Sequence, residues 1–341
     1  MPIHILTMNK NQLTQKTVPH GGYVTSIFHR AATTHFNHTH PSLYKVTPTP
    51  ISVQLSFIRR NAATKAVLKV EDTKLGARTS TLHVTMLQRR EGKKSKANNN
   101  NIEGKEEEEE PLEIKVTGYI TVTPSTAEIG TTTNTDWTIH PPPVAGTKPN
   151  GAVDLTALAT TGQDGAWTRL AKISDFRRAL QHVEAYVPRS DNRRGINDQW
   201  ARFRPGGGGG DGGDKGARWT DESVMYLIDL FPMALEGLGK MALSEAPADG
   251  DLGEVPMFWF PTVTMGVDVK KRLPAGSGGV EWLYSRIVNK VIRDGRMDTH
   301  VEVVDEGGEV VALASQVALI MSAMRNVGKR SLSDAGGKAR L

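Results

Sequence analysis

Hydrophobic and polar residues alternate in two similar series of segments, one in each half of the chain. In the first half, a helical run at 23–36 follows Gly21-Gly22, and four segments with the alternation typical of β-strands come after it. In the second half, two strand-like segments precede a helical run at 223–238, and four more follow it. The predicted strands are 51–59, 64–71, 77–88, 112–122, 182–187, 199–204, 262–272, 282–293, 296–304 and 310–321. A helix followed by a meander of antiparallel strands, used twice, predicts an α+β fold in which each sheet wraps around its helix.

Segments of low complexity separate these regions and indicate the domain boundaries. Proline, glycine and charge runs of this kind are typical of solvated loops and linkers, so we expect no chemistry in them. The predicted order is an N-terminal domain at 1–140 with a polar and acidic insert at 92–111, a linker at 141–180, a C-terminal domain at 181–325 with a glycine-rich insert at 205–217, and a flexible tail at 326–341.

Composition excludes several kinds of site. The 341 residues include no cysteine, which excludes disulfides, thiolate catalysis and cysteine-bound metals. The net charge of +5 fits an anionic small substrate such as a nucleotide-bearing thioester, but also many other proteins. No apolar run is long enough to span a membrane, and no zinc spacing or basic-aromatic stripe favours nucleic acid. His35, His38 and His40 form a local cluster that would need a further ligand elsewhere, so we predict neither a metal nor a cofactor.

Asp229 is the most informative polar residue, because it lies in the otherwise apolar helical segment at 223–238. A carboxylate in such a place is costly to bury unless it is paired, hydrogen-bonded or protonated. A buried acid of this kind is a candidate for chemistry. The alternative is a partly exposed acid on an amphipathic helix, and this segment alone leaves both interpretations open.

Two predicted strands offer partners for Asp229. Strict alternation places Thr262 on one face of its strand with Thr264, Gly266 and Asp268, and the intervening apolar residues on the other. In the last strand, Gln316 shares its face with small residues, namely Ala312, Ala314 and Ala318. Small neighbours would allow a helix to approach closely, with the Gln316 amide standing out from an apolar surface. A common strand threonine and a polar strand-end residue are the alternative interpretations.

At this point the chain resembles a known family, the TesB-like acyl-CoA thioesterases, which have a double-hotdog fold. The similar segments are VPHGGY at 18–23, RTSTLHVT at 78–85, HVEAYVP and QWARF at 182–188 and 199–203, YLIDLFPMAL at 226–235, PT and KKRLP at 261–262 and 270–274, and ALASQ at 312–316. They cover most of the chain outside the inserts. Each motif is short, and their order and joint presence carry the resemblance.

The resemblance implies a site and an activity. The family's Asp, Ser/Thr and Gln triad falls on Asp229, Thr262 and Gln316, which would activate water to hydrolyse an acyl-CoA thioester. We expect Asp229 to be the base and the other two residues to hold the water. The predicted substrate-binding residues are Gly21, Gly22, Tyr23, Lys270, Lys271 and Arg272, the last three as candidate ligands for the CoA phosphates, with a solvated strand end as their alternative interpretation. Gln88 ends a first-half strand much as Gln316 does in the second, but the first-half helix has no carboxylate, so we expect that half to serve as scaffold and pocket wall. The resemblance also implies a dimer or larger assembly.

Departures from the family pattern leave alternatives for the substrate. Thr264 stands where family members commonly have an aspartate, and residues 268–271 replace an aromatic or histidine stretch. The alternatives are a hotdog enzyme acting on a polyketide or other carrier-bound acyl chain, and a double hotdog that binds acyl-CoA without turnover. The last residues, Ala339-Arg340-Leu341, resemble the Ser-Lys-Leu peroxisomal address, so we expect recognition by the import receptor and a peroxisomal location, with a cytoplasmic location as the alternative.

Overall fold

The computed structural model contains two copies of one helix-and-sheet unit. It describes residues 3–7, 14–15, 18–90, 111–170, 178–189, 195–204, 216–230, 258–275 and 278–322. The first unit consists of β1 (Ile3–Thr7), β2 (Thr14–Gln15), β3 (Val18–Pro19), α1 (Gly21–Thr39), β4 (Thr49–Phe57), β5 (Lys65–Lys74), β6 (Ser80–Arg89) and β7 (Leu112–Thr123).

The second unit repeats this order after a helix and a short hairpin. Its elements are α2 (Leu155–Thr161), β8 (Gln163–Asp164), β9 (Trp167–Arg169), β10 (Val183–Pro188), β11 (Ile196–Phe203), α3 (Asp221–Leu227), β12 (Phe258–Trp259), β13 (Thr262–Val269), β14 (Trp282–Val288), β15 (Ile292–Arg293), β16 (Arg296–Val304), β17 (Val310–Leu319) and β18 (Met321–Ser322). The predicted strands are all present, with boundaries that differ by a few residues. The segment predicted as a linker at 141–180 contributes α2 and the β8–β9 hairpin, which pairs with β10 at the edge of the sheet.

The two units share one antiparallel sheet, which runs in the order β1-β5-β6-β7-β4-β13-β17-β16-β14-β11-β10-β9-β8 among the described residues. Strands β4 and β13, which follow the helices of their units, pair at the centre, with Val53 opposite Val267. The order within each unit makes β4 equivalent to β13, β6 to β16 and β7 to β17. The α+β double-hotdog prediction is therefore confirmed, with the two predicted sheets joined edge to edge.

Helix α1 forms because its apolar residues recur at helical spacing, with Val24, Phe28 and Phe36 on one buried face. This face packs on the sheet, and α1 also packs against α3. The helix ends where His40 N–H donates to the carbonyl of Phe36, just before Pro41. None of the helices in the described part of the chain is both long and apolar enough to cross a membrane.

Helix α3 is shorter than the predicted helical run at 223–238. It starts with a capping box between Thr220 and Ser223 and ends at Leu227. The next residues form a 3₁₀-type turn, in which Asp229 N–H donates to the carbonyl of Tyr226 and Leu230 N–H donates to that of Leu227. Asp229 therefore lies in a turn after the helix, and not within it as predicted. The rest of the predicted run, 231–238, lies outside the described residues, as do most of both inserts and the tail.

The buried His29 of α1 makes the stability of the protein depend on pH. It is 5% exposed, and neither ring nitrogen has a hydrogen-bond partner among the described residues. Burial, together with the charge of Arg30, lowers the pKa of His29 from 6.5 to about 4. The unfolded chain therefore binds a proton between pH 6.5 and 4 that the folded chain does not bind.

We expect this histidine to remove about 3 kcal/mol of stability as the pH falls from 6.5 to 4. The contribution is complete above pH 6.5, because His29 is then neutral in both states. Urea unfolding of wild type and His29→Met across this range should show that the free energy of unfolding depends less on pH in the variant. His38→Gln, at an exposed position of the same helix, is the control and should follow wild type. The same pH dependence in all three proteins would contradict the assignment.

Candidate active site

Asp229 is a buried carboxylate that lies against the first turn of α1. It is 9% exposed, and its Oδ2 accepts a hydrogen bond from Gly22 N–H at 2.8 Å. His20 Nε2 is 3.5 Å from the same oxygen, and Thr262 Oγ1 donates to Oδ1 at 3.4 Å. The N–H groups of the first helical turn have no partner within the helix, and together with the positive end of the helix dipole they favour a negative charge at this place. The first half of the chain thus stabilises an acid of the second half, 207 residues away.

The turn that carries Asp229 is held by three side chains. The carbonyl groups of residues 228–230 each accept one hydrogen bond from a different element. Gln316 Nε2 donates to the first at 2.9 Å, His20 Nε2 to the second at 2.9 Å and Gln199 Nε2 to the third at 2.6 Å. Because a ring nitrogen must donate to a carbonyl, His20 carries its proton on Nε2 in this arrangement. The backbone of the acid is therefore fixed from both halves of the molecule.

Gly21 and Gly22 allow this close approach. A Cβ atom at Gly21 would lie 2.7 Å from Asp229 Oδ2, and one at Gly22 would lie 2.7 Å from the carbonyl oxygen of Tyr226. Both positions therefore require glycine to bring α1 against the acid. Tyr23, the third residue predicted here, contributes to neither contact. It is half-buried in the core, and burial raises its pKa, with smaller effects of Arg30 and Glu222.

Thr262 reaches Asp229 because β13 contains a bulge. Thr262 pairs with Ala318 and Thr264 with Val317, so two steps on β13 correspond to one step on β17. Thr262 therefore follows the inward direction of Ala318, whereas Thr264 is exposed on the outer face. The predicted face shared by both threonines is wrong, because strict alternation does not continue through a bulge. Thr264, the departure from the family pattern, lies away from the acid.

Gln316 has the predicted orientation. It is 3% exposed and lies on the inward face of β17 with the buried Ala312, Ala314 and Ala318. Its amide nitrogen donates a hydrogen bond to the carbonyl of Ile228, the residue before Asp229. Its Oε1 atom is buried and has no hydrogen-bond partner among the described residues. Gln316 therefore orients the turn and leaves one buried acceptor unsatisfied beside it.

A cavity of about 360 Å³ opens in front of Asp229 and Thr262. This size lies within the range of small-molecule sites. Much of its lining is apolar and includes Val18, Phe57, Trp259, Phe260, Leu319 and Met321, three of which are aromatic. Residues 59–61, Arg-Arg-Asn, which follow β4, also line the cavity and make part of its lining basic. The space therefore combines an apolar region, a basic region and a buried acid.

The predicted phosphate ligands Lys270, Lys271 and Arg272 do not line this cavity. They follow the end of β13 opposite to Thr262, which is roughly 23 Å away along an extended strand. Acidic residues pair with all three, namely Asp268 with Lys270, Asp305 and Glu309 with Lys271, and Glu128 with Arg272. Arg59 and Arg60 are the basic residues at the cavity, and the sequence interpretation missed them together with His20, Asn61 and Gln199. Of these, His20 and Gln199 had a signal, since both lie in segments that resemble the family.

The histidine cluster at the end of α1 involves a third residue that the sequence interpretation did not name. His35 Nε2 and His40 Nε2 each contact a different carboxylate oxygen of Asp72, at 2.8 and 2.9 Å. These nitrogen and oxygen atoms lie within 4.8 Å of one another, whereas His38 is exposed. Partial burial opposes the charge of Asp72, but the histidine hydrogen bonds lower the pKa of this carboxyl group. Both histidines bond directly to Asp72 and so tie the end of α1 to β5.

Comparisons with known proteins agree with this architecture. The thioesterase-like protein TwmA of Talaromyces wortmannii is 29% identical over 348 residues, which cover 96% of this chain and 91% of TwmA. Two similar solved structures are a conserved protein of unknown function with a hot dog fold from Alicyclobacillus acidocaldarius and the tesB protein of Mycobacterium avium subs paratuberculosis. The first has a TM-score of 0.60 at 13% identity and covers 94% of this chain and 93% of its own. The second has a TM-score of 0.54 at 13% identity and covers 94% and 92%.

Family models match both halves. Residues 10–98 match the acyl-CoA thioesterase N-terminal domain, and residues 149–320 match the acyl-CoA thioesterase C-terminal domain. The second match includes Asp229, Thr262 and Gln316, and the first includes the glycines that contact Asp229. Together the matches cover most of the chain, which therefore belongs to the acyl-CoA thioesterase family.

Proposed function

We propose that the chain hydrolyses acyl-CoA thioesters to the free acid and CoA in the cavity that Asp229 lines. The observation that carries the proposal is the position of this carboxylate, which Gly22 N–H holds at the start of α1 beside Thr262. An acid fixed in this way faces a space with an apolar region and a basic region. A long apolar acyl chain on an anionic carrier fits that distribution.

Asp229 acts as the general base in this proposal. It takes a proton from a water molecule, whose oxygen attacks the thioester carbonyl carbon and forms a tetrahedral intermediate. The C–S bond then breaks, the acid is released, and the proton on Asp229 passes to the leaving sulfur. A positioned base of this kind contributes typically about 10²- to 10⁴-fold to rate.

In this proposal, the groups around Asp229 also stabilise the oxyanion and orient the attacking water. The first N–H groups of a helix have no intrahelical partner; Gly22 N–H is bonded to Asp229, so the N–H of Gly21, which also lines the cavity, is the candidate donor for the oxyanion. The unsatisfied Gln316 Oε1 and the Thr262 hydroxyl can orient the attacking water. The held carbonyl groups of residues 228–230 keep the base from moving away from this water, which supports proximity as a further contribution.

Release of free thiol from a panel of acyl-CoA thioesters tests the proposal. Wild type should release CoA with saturation kinetics from at least one chain length. Absence of release from every acyl-CoA, with release from carrier-protein or pantetheine thioesters, would replace it by the specialised hotdog enzyme. Binding of acyl-CoA without release from any thioester would indicate a non-catalytic double hotdog.

We also propose, from the sequence alone, a peroxisomal location and an assembly of more than one chain. The residues that would be read by the import receptor, Ala339-Arg340-Leu341, lie outside the described residues. Both statements stay predictions. A reporter fused to the last residues, with and without Leu341, tests the address.

A further inference from the structure

Asn61 is a buried polar residue that nothing in the proposed chemistry uses. It lines the cavity together with Asp229 and Thr262, and it is 4% exposed. Its Oδ1 atom has no hydrogen-bond partner among the described residues. Burying an acceptor without a partner is destabilising, so its presence at a ligand cavity favours a ligand that supplies the donor.

The surroundings of Asn61 indicate which part of a thioester would lie beside it. Arg59 and Arg60 directly precede it and also line the cavity. The Arg59 side chain is 51% exposed and contacts Glu113 and the carbonyl of Ile114 at the start of β7. A basic, solvent-facing region favours the phosphate-bearing end of CoA. The arm that joins those phosphates to the sulfur contains two secondary amides, each with one N–H donor.

Gln88 fixes the backbone next to Asn61. It is 1% exposed, and its amide makes two hydrogen bonds to the backbone of one residue. Its Oε1 accepts from Ala62 N–H at 3.0 Å, and its Nε2 donates to the Ala62 carbonyl at 2.9 Å. Gln88 lies on β6, whose counterpart is β16, so it is not the structural equivalent of Gln316. Its contact instead holds the segment that forms the cavity wall.

We propose that Asn61 accepts a hydrogen bond from an amide N–H in the pantetheine arm of the substrate, and that Gln88 is its positioning residue. This inference rests on the proposed function, since it assigns a subsite of the same cavity. It adds Asn61 to the first-half residues, Gly21, Gly22 and Tyr23, that the sequence predicted for substrate binding.

The experiment compares three thioesters of one acyl group, carried on CoA, on N-acetylcysteamine and on ethanethiol. The first two contain an amide near the sulfur, and the third contains none. For Asn61→Ala we expect kcat/KM to fall about 3- to 10-fold with the two amide-bearing substrates, mainly through KM, as for the loss of one hydrogen bond. With the ethanethiol ester it should stay within about twofold of wild type.

Gln88→Met tests the positioning role. It should raise KM for the same two substrates and leave hydrolysis of the ethanethiol ester unchanged, since the catalytic groups are not touched. Asn134→Ala, an exposed asparagine on a distant loop, is the matched control and should follow wild type with all three.

The outcomes separate this inference from the proposed function. If wild-type protein hydrolyses the thioesters but Asn61→Ala changes all three equally, or none of them, the subsite assignment is wrong and the proposed function stands. If wild type hydrolyses no thioester, the proposed function is wrong, and the subsite assignment that rests on it is wrong as well. Equal loss for all three substrates in Gln88→Met would contradict the positioning role and indicate a structural one.

Discussion

Replacing Asp229 with Asn should lower kcat for thioester hydrolysis about 10²- to 10⁴-fold, the usual effect of removing a general base. The amide has nearly the shape of the carboxylate, so its oxygen can still accept from Gly22 N–H. It cannot take a proton from water at neutral pH. KM should change little, because the cavity walls stay in place. Thiol release under saturating substrate measures the effect.

Asp268→Asn provides a matched control for this prediction. Asp268 is an exposed carboxylate on the same strand as Thr262, and it pairs with Lys270 far from the cavity. The same change of acid to amide there should leave kcat unchanged. Wild-type rates in Asp229→Asn, measured alongside this control, would exclude Asp229 as the base.

Replacing Arg286 with Met should destabilise the protein by about 3–5 kcal/mol, because it removes the guanidinium that neutralises a buried carboxylate. Arg286 is 1% exposed, and its guanidinium binds both oxygens of Asp198 at 2.8 Å. The same side chain also donates to the carbonyl of Pro141 and so ties the connection between the halves to the sheet. Burial, together with the charge of Asp198, raises the pKa of the neighbouring Tyr284. Urea unfolding at pH 7 measures the loss.

The double variant Asp198→Leu/Arg286→Met separates the two causes of this loss. If the loss of the neutralising guanidinium is responsible, removing both members of the ion pair should recover most of the stability, since apolar pairs replace buried ion pairs at little cost. A single Arg286→Met variant within about 1 kcal/mol of wild type would contradict the buried-pair interpretation.

The repeated architecture was predictable because each long strand has its own alternation and each helix its own period. The joining of two sheets was not, because β4 and β13 look like any other half-buried strands. The bulge at 262–264 was also hidden, since a single extra residue leaves no mark in composition. Because of the bulge, the side chain of Thr262 points inward, towards Asp229, whereas that of Thr264 is exposed on the outer face.

The site was predictable only where chemistry leaves a local sign. Asp229 stood out as an acid in an apolar segment, and Gln316 as an amide among alanines. Their contacts with Gly22 and with Ile228 depend on how the two halves pack, which no local pattern contains. The basic residues show the same limit. Lys270, Lys271 and Arg272 are conspicuous as a run but lie at the far end of β13, whereas Arg59, which also pairs with an acid, lines the cavity because it follows β4.

A crystal structure with a ketone analogue of an acyl-CoA, in which methylene replaces the sulfur, tests the central claim most directly. We expect its carbonyl group to lie in the cavity beside Asp229 and Thr262, with the acyl chain against Phe57 and Trp259. The carrier arm should pass Asn61. An analogue that binds with its carbonyl away from Asp229, for example in the hollow of about 380 Å³ around Tyr119 on the outer face of the sheet, would contradict the account.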